Sequence, residues 1–124
     1  MIPAYNEEKV LPQLFARLND LAIYNKNYDF EFLFINDGSR DKTMDLIKQE
    51  AKTNPHVSYI NLSRNFGKEN AMLAGFDYAK GDALVIIDAD LQDPPELIPQ
   101  MIEFWEQGFD DVYAKRESRD GETW

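Results

Sequence analysis

Short apolar runs that end abruptly in polar clusters recur along this chain, alternating with stretches of helical periodicity, and few folds accommodate that alternation. Phe30–Ile35, Val57–Leu62 and Ala83–Ile87 each have the length and composition of a strand, and Met1-Ile2 reads as the end of another before Pro3-Ala4-Tyr5-Asn6-Glu7. Asp111–Ala114 predicts a fifth. Between them, Val10, Leu11, Leu14, Phe15, Leu18, Leu21 and Ala22 form an apolar stripe that predicts a helix over about Glu7–Tyr24, with Asn6 as its N-cap. Pro12 either bends that helix or moves its start later. Further helices are predicted over about Arg40–Thr53, capped by Ser39 and ended by Asn54-Pro55, over Glu69–Ala79, and over Pro95–Gln107, stopped by Gly108. Pro99 falls in the first turn of the last of these or kinks it. Lys115–Trp124 reads as a polar tail, and His56 has no assigned role. Strands alternating with helices of this length build βαβ units, so the predicted class is α/β, a mainly parallel sheet with helices on both faces.

Bulk properties narrow the function classes. The 124 residues suffice for one core-bearing domain, and 44% apolar with 29% charged residues is an ordinary globular composition. A net charge of −10 argues against binding nucleic acid or an anionic bilayer through a basic surface. With no cysteine, disulfides and thiolate chemistry are excluded. No apolar run reaches the roughly 18 residues of a membrane span, and the segment is expected to be soluble.

The stretch Val85-Ile86-Ile87-Asp88-Ala89-Asp90-Leu91-Gln92-Asp93-Pro94-Pro95 carries the strongest chemical signal. Its three carboxylates repel one another unless a cation or hydrogen-bond donors compensate. In an extended segment alternate residues point the same way, which would put Asp88, Asp90 and Gln92 on one side and Ala89 and Leu91 toward the protein. Such an oxygen set suits Mg2+ or Mn2+. Aspartates after strands also form turns and cap helices. In a parallel α/β sheet, however, ligands bind beyond the carboxyl ends of the strands, and three polar clusters fall there: Tyr5-Asn6-Glu7, Asn36-Asp37-Gly38-Ser39 and Asp88-Ala89-Asp90. Neither common glycine-rich phosphate loop is present. A metal on Asp88 and Asp90 could bridge a diphosphate, with Arg64, Lys68, Arg116 or Arg119 either assisting or solvated on the surface. Tyr5 suits stacking on a nucleobase or packing at the rim.

Together, Pro3-Ala4-Tyr5-Asn6-Glu7, Asn36-Asp37-Gly38-Ser39, Ser63-Arg64-Asn65-Phe66-Gly67-Lys68 and Asp88-Ala89-Asp90-Leu91-Gln92-Asp93-Pro94-Pro95 resemble the family 2 glycosyltransferases of the GT-A fold, above all the bactoprenol glucosyltransferases and dolichol-phosphate mannose synthases. The resemblance covers essentially the whole chain. It implies a single nucleotide-sugar-binding domain over 1–124, incomplete at both ends, with acceptor-binding and membrane-anchoring parts outside it. It implies a nucleoside diphosphate sugar donor and a polyprenyl phosphate acceptor, at the cytoplasmic face of a membrane for the full-length protein. By the same resemblance Asp90 and Asp88 are the catalytic pair, and Asp88, Asp90 and Gln92 hold Mg2+ or Mn2+. Pro3, Tyr5, Glu7, Asp37, Arg64, Lys68 and Asp88 would bind the nucleotide sugar, and Arg116 and Arg119 would contact phosphate. Relatives often carry Asp where Asn36 stands, which leaves Asp37 as the sole carboxylate of that pair.

Two other classes share parts of this pattern. A noncatalytic nucleotide-binding remnant would keep the motifs, and a shortened first strand would lower its stability. A Mg2+-dependent phospho-accepting domain of flavodoxin-like topology also gathers acids at strand ends, but it wants an acid pair directly after the first strand and a lysine after the last. Glu7-Glu8 lie too far along for the first, and Lys115 would have to serve as the second.

Overall fold

The three strands that build the main sheet are β1 (Ile2–Ala4), β2 (Phe32–Asn36) and β3 (Val57–Asn61), parallel and in the order β1-β2-β3. Ile2 pairs with Phe34, and Phe34 with Tyr59. The computed structural model describes residues 1–92, 94–108, 118–119 and 122–123, the last two pairs by backbone alone. All five residues of β2 are buried, as expected of a continuous apolar run covered on both faces. Its side chains alternate between two cores. Phe32 and Phe34 join Ile2, Ala4, Leu11, Leu14, Leu18 and Ile47 on one side, while Leu33 and Ile35 meet Met1 and Ala71 on the other.

Those two cores place the helices. Both α1 (Leu11–Tyr24) and α2 (Thr43–Thr53) pack on the first face, and α3 (Lys68–Tyr78) covers the second. A Cβ on Gly75 would stand 2.0 Å from Met1 Sδ and 3.0 Å from Ile35 Cδ1, so α3 lies directly on the sheet there. Fully buried Phe34, Leu11, Leu14 and Ile35 each contribute about 1.5–3 kcal/mol relative to exposure.

Several element ends differ from the sequence expectation. α1 starts at Leu11, because Pro12 occupies its first turn, and Asn6 does not cap it. α2 starts at Thr43 rather than Arg40, and Ser39 is not its cap. Pro95–Leu97 is a 3-10 turn leading into α4 (Ile98–Glu106), whose first turn holds Pro99, so that proline does not kink the helix. His56 does have a role, since its Nδ1–H donates to the Phe30 carbonyl at 2.9 Å and steadies the entry to β2. Ser118–Arg119 (β4) and Glu122–Thr123 (β5) pair antiparallel within the expected polar tail. The expected strand over Asp111–Ala114 lies outside the described residues, as do Asp93, Lys115 and Arg116.

Ala83–Ile87, expected as a strand, is not a strand of the sheet. The Met1 ammonium donates to the Val85 carbonyl at 2.8 Å, and the Ile87 N–H donates to the Met1 carbonyl at 3.1 Å. These bonds make one parallel pair rather than a ladder, and both are made by Met1, the residue before β1. Even so, 85–87 flanks β1 on the side opposite β2. The chain therefore steps outward from β1 to β3 and then returns across to the other flank of β1, so the order of elements reverses at β1. That reversal is where an open α/β sheet forms its crevice.

Burial pushes the α-amino group of Met1 down to about 6, with Glu31 partly opposing the shift. Folding thus disfavours the charged form. Below about pH 6 both states are protonated and the burial penalty is complete; between about 6 and 8 the unfolded chain binds more protons, so stability rises with pH. The expected gain across that window is roughly 2–3 kcal/mol, measured as the difference in urea unfolding between the chain with a free α-amino group and the same chain N-acetylated, which should lack it.

Candidate functional site

The crevice at that reversal is a cleft of about 530 Å3. Pro3, Ala4, Tyr5 and Glu7 come from the end of β1, Asp37 from the end of β2, Lys68 from the start of α3, and Asp88, Ala89, Asp90 and Gln92 from the segment beyond Ile87. Residues from four stretches far apart in sequence converge there because parallel strands deliver their carboxyl ends to one edge.

Two loops lock each other in place at that edge. The Asn6 N–H donates to Ser39 Oγ at 2.9 Å, and the Arg40 N–H returns a bond to Asn6 Oδ1 at 2.8 Å. Next to them the Glu7 N–H donates to Thr43 Oγ1 at 2.8 Å, and Thr43 Oγ1 donates to Asp41 Oδ1 at 2.6 Å. Burial pushes the Asp41 carboxyl up, but hydrogen bonds from the Thr43 hydroxyl and from the backbone of Thr43 and Glu8 outweigh it and hold Asp41 below the ordinary carboxylate value. Asn6 and Ser39 are thus spent on joining the β1 and β2 loops rather than on capping helices. Asp41 and Thr43 went unnoticed in the sequence, although an Asp-x-Thr before an apolar helical pattern is a local hydrogen-bonding signature.

Asp37 is buried, with 4% of its surface exposed. Its Oδ1 accepts the Phe66 N–H at 2.8 Å, its Oδ2 accepts the Gly67 N–H at 3.1 Å, and the Asn65 amide donates to its carbonyl at 3.2 Å. The carboxylate borders the cleft, but its hydrogen bonds fix the loop that starts α3. The Asn36 amide donates to Asn61 Oδ1 at 2.9 Å across the β2–β3 pair. Gly38 permits this approach. It has φ +69°, and a Cβ there would lie 2.2 Å from the Asn65 nitrogen and 2.3 Å from the Arg64 carbonyl carbon.

The Asp88–Gln92 segment is not the extended chain expected from the sequence: it turns at 89–90 and bends at 91–92, and Ala89 borders the cleft beside the acids. Ile87 and Ala89 sink into the core and Leu91 packs against it, whereas Asp88, Asp90 and Gln92 line the cleft. The Gln92 N–H donates to Asp90 Oδ1 at 3.1 Å, and Leu91 takes a left-handed φ of 63°, an uncommon conformation for a bulky side chain. Lys68 Nζ lies 2.5 Å from Asp88 Oδ1. Burial, followed by the charges of Asp90, Asp41 and Asp88, raises the Glu7 carboxyl above its ordinary value, a sign of concentrated negative charge. Among the described residues no group of three or more Asp, Glu, His or Cys side chains is arranged to hold a metal ion; the metal donors expected at the cleft are two aspartates and the Gln92 amide. All are oxygen donors, and magnesium binds through one or two carboxylates while keeping waters, so the chemistry of the set fits a hard divalent cation.

Residues 1–124 match the family described as Glycosyl transferase family 2. The chain belongs to glycosyl transferase family 2. Within that family it is 48% identical over 99% of its length to an uncharacterized glycosyltransferase, YkcC, of Bacillus subtilis, of which it covers 38%. It is 45% identical over 96% of its length to a prophage bactoprenol glucosyl transferase homolog of Escherichia coli, covering 39% of that protein. The figures for the bactoprenol glucosyl transferase of Shigella phage SfV are 45%, 96% and 38%. The chain thus spans about two fifths of the curated relatives it matches. A crystal structure of S. aureus TarS overlays 82% of the chain on 32% of TarS, with a TM-score of 0.57 at 22% identity, a likeness of fold.

Of the family residues carried over from the resemblance, Pro3, Tyr5, Glu7, Asp37, Lys68, Asp88, Asp90 and Gln92 share the cleft. Arg64 does not line it; its guanidinium lies 4.3 Å from the centre of the Phe66 ring. Arg116 is outside the described residues, and Arg119 is described in β4 by backbone only. Gly38→Ala combines a left-handed φ with backbone overlap, so it should cost about 2–4 kcal/mol. Hydrogen exchange should show the Phe66 and Gly67 amides losing protection; retained protection would mean that Asp37 holds the loop without Gly38.

Proposed function

We propose that this chain is the donor-binding part of a metal-dependent inverting glycosyltransferase that moves a sugar, glucose from uridine diphosphate glucose, to a polyprenyl phosphate. The observation that carries this reading is one cleft at the sheet reversal that gathers eight family-motif residues, in a chain whose relatives include bactoprenol glucosyl transferases. Acceptor contacts, membrane attachment and a place at the cytoplasmic face belong to the longer protein. No helix among the described residues is long and apolar enough to cross a membrane.

In this reading each residue has a task. Tyr5, with 42% of its surface exposed at the cleft, offers a ring face to the base. Asp37 positions the 64–68 loop through the Phe66 and Gly67 amides and acts on the nucleotide through that loop. Asp88, Asp90 and Gln92 would hold Mg2+ or Mn2+, which when bound supplies positive charge to a departing diphosphate. The acceptor attacks the anomeric carbon from the side opposite the diphosphate, which inverts that centre. A phosphate acceptor is ionised near neutral pH, so no side chain of this chain has to remove a proton from it.

Thermal melts with UDP, GDP, UDP-glucose and GDP-mannose, each with Mn2+ or with chelator, test the reading. A uridine nucleotide at a hundred times its dissociation constant should add roughly 2.7 kcal/mol, in the presence of metal only. Asp90→Ala should keep the cooperative melt of the parent and lose that gain. A cooperative melt that no nucleotide shifts would overturn the donor-site assignment, and an unaltered gain in Asp90→Ala would remove Asp90 from it.

A further inference from the structure

Among the described residues lining the cleft, Lys68 is the one that carries positive charge, set against the carboxylates of Glu7, Asp37, Asp88 and Asp90. Its two ends behave differently. The backbone of Lys68 opens α3 directly after the amides that Asp37 holds, so its Cα is fixed relative to β2. Its side chain is 56% exposed and reaches Asp88, itself 19% exposed, across the cleft. A long flexible stem on a fixed base lets an ammonium change partner without moving the loop. An ammonium at 2.5 Å also occupies ground that a divalent cation on the same carboxylate oxygen would need, and two cations there repel.

We propose that Lys68 is an exchangeable counter-ion of the donor site. In the metal-free chain it neutralises Asp88. When a divalent cation takes that carboxylate, the ammonium is released and turns to a phosphate oxygen of the nucleoside diphosphate. Lys68 then opposes metal binding on its own and favours nucleotide binding once metal is present, which couples the two ligands. The inference rests on the donor-site reading above and adds an order of events to it. Among the described residues no other side chain lining the cleft carries positive charge.

Opposite effects of one substitution on two ligands make the test. Mn2+ binding to the chain alone is followed by the paramagnetic resonance signal of free Mn2+, and UDP binding at saturating Mn2+ by calorimetry. Lys68→Gln should bind Mn2+ about five- to tenfold more tightly than the parent and UDP about tenfold more weakly. Lys68→Arg should return both affinities toward the parent, and a melt should show both variants folded as the parent is, since the side chain is largely exposed. If the parent binds Mn2+ and UDP but Lys68→Gln leaves metal affinity unchanged or weakens it, the exchange is overturned and the donor site stands. If the parent binds neither, the donor-site reading falls and the exchange with it.

Discussion

A buried carboxylate at the end of the central strand organises this edge of the molecule. Asp37 sits where β2 stops, almost without solvent, and burying an ionised side chain is costly unless its lone pairs are satisfied. Here the amides of Phe66 and Gly67 supply the donors. That solution binds the site together, because the same bonds that satisfy the Asp37 oxygens also fix where α3 begins and hence where Lys68 stands. Removing the carboxylate would orphan two backbone donors at once, each worth about 1–3 kcal/mol when left unsatisfied. The close backbone approach over Gly38 follows from this arrangement, since no side chain fits between the β2 turn and the 64–65 backbone.

The clasp between the β1 and β2 loops is the second fixed part. Asn6, Ser39, Asp41 and Thr43 exchange hydrogen bonds across more than thirty positions of sequence, and this brings Tyr5 and Glu7 to the same wall as Asp37. The remaining wall, Asp88–Gln92, is supported by one parallel pair with Met1, the burial of Ile87 and Ala89, the Lys68–Asp88 ion pair and, farther along, the Arg17–Glu96 ion pair. The cleft thus joins a side built on hydrogen-bonded loops to an acidic side that packs into the core through Ile87 and Ala89.

How much of this was legible in the sequence depends on the range of the interaction. Period-two and period-3.6 patterns are local, so β2, β3, α1 and α2 could be read from Phe32–Asn36, Val57–Asn61 and the Leu11, Leu14, Leu18 and Ile47 positions. Prolines were ambiguous in the sequence because Pro12 and Pro99 suit a first turn as well as a kink, and the position of the turn is decided by where the preceding loop is held. Asn6 and Ser39 look like caps because their side chains accept backbone N–H bonds; which N–H they accept is a matter of tertiary contact. Ala83–Ile87 has the composition of a strand, but a strand also needs a partner of matching length. His56 gave no signal, since its bond to Phe30 joins two strand entries far apart in sequence.

The acidic segment was the most legible part of the site, and the reason is geometric. Acids spaced this closely after an apolar run leave it together, so Asp88, Asp90 and Gln92 all reach the cleft even though the segment turns at 89–90 and Leu91 is left-handed. Which cation would face those acids was not legible, because Arg64 and Lys68 are equally plausible by charge and differ by four residues at the start of a helix. The structure separates them by what each base touches: Arg64 spreads over the Phe66 ring outside the cleft, and Lys68, one residue after the amides held by Asp37, meets Asp88. A buried acid at the end of β2 thus helps determine which base reaches the half-buried acid beyond Ile87. The site's charge balance is therefore a property of three elements together, and no single motif contains it.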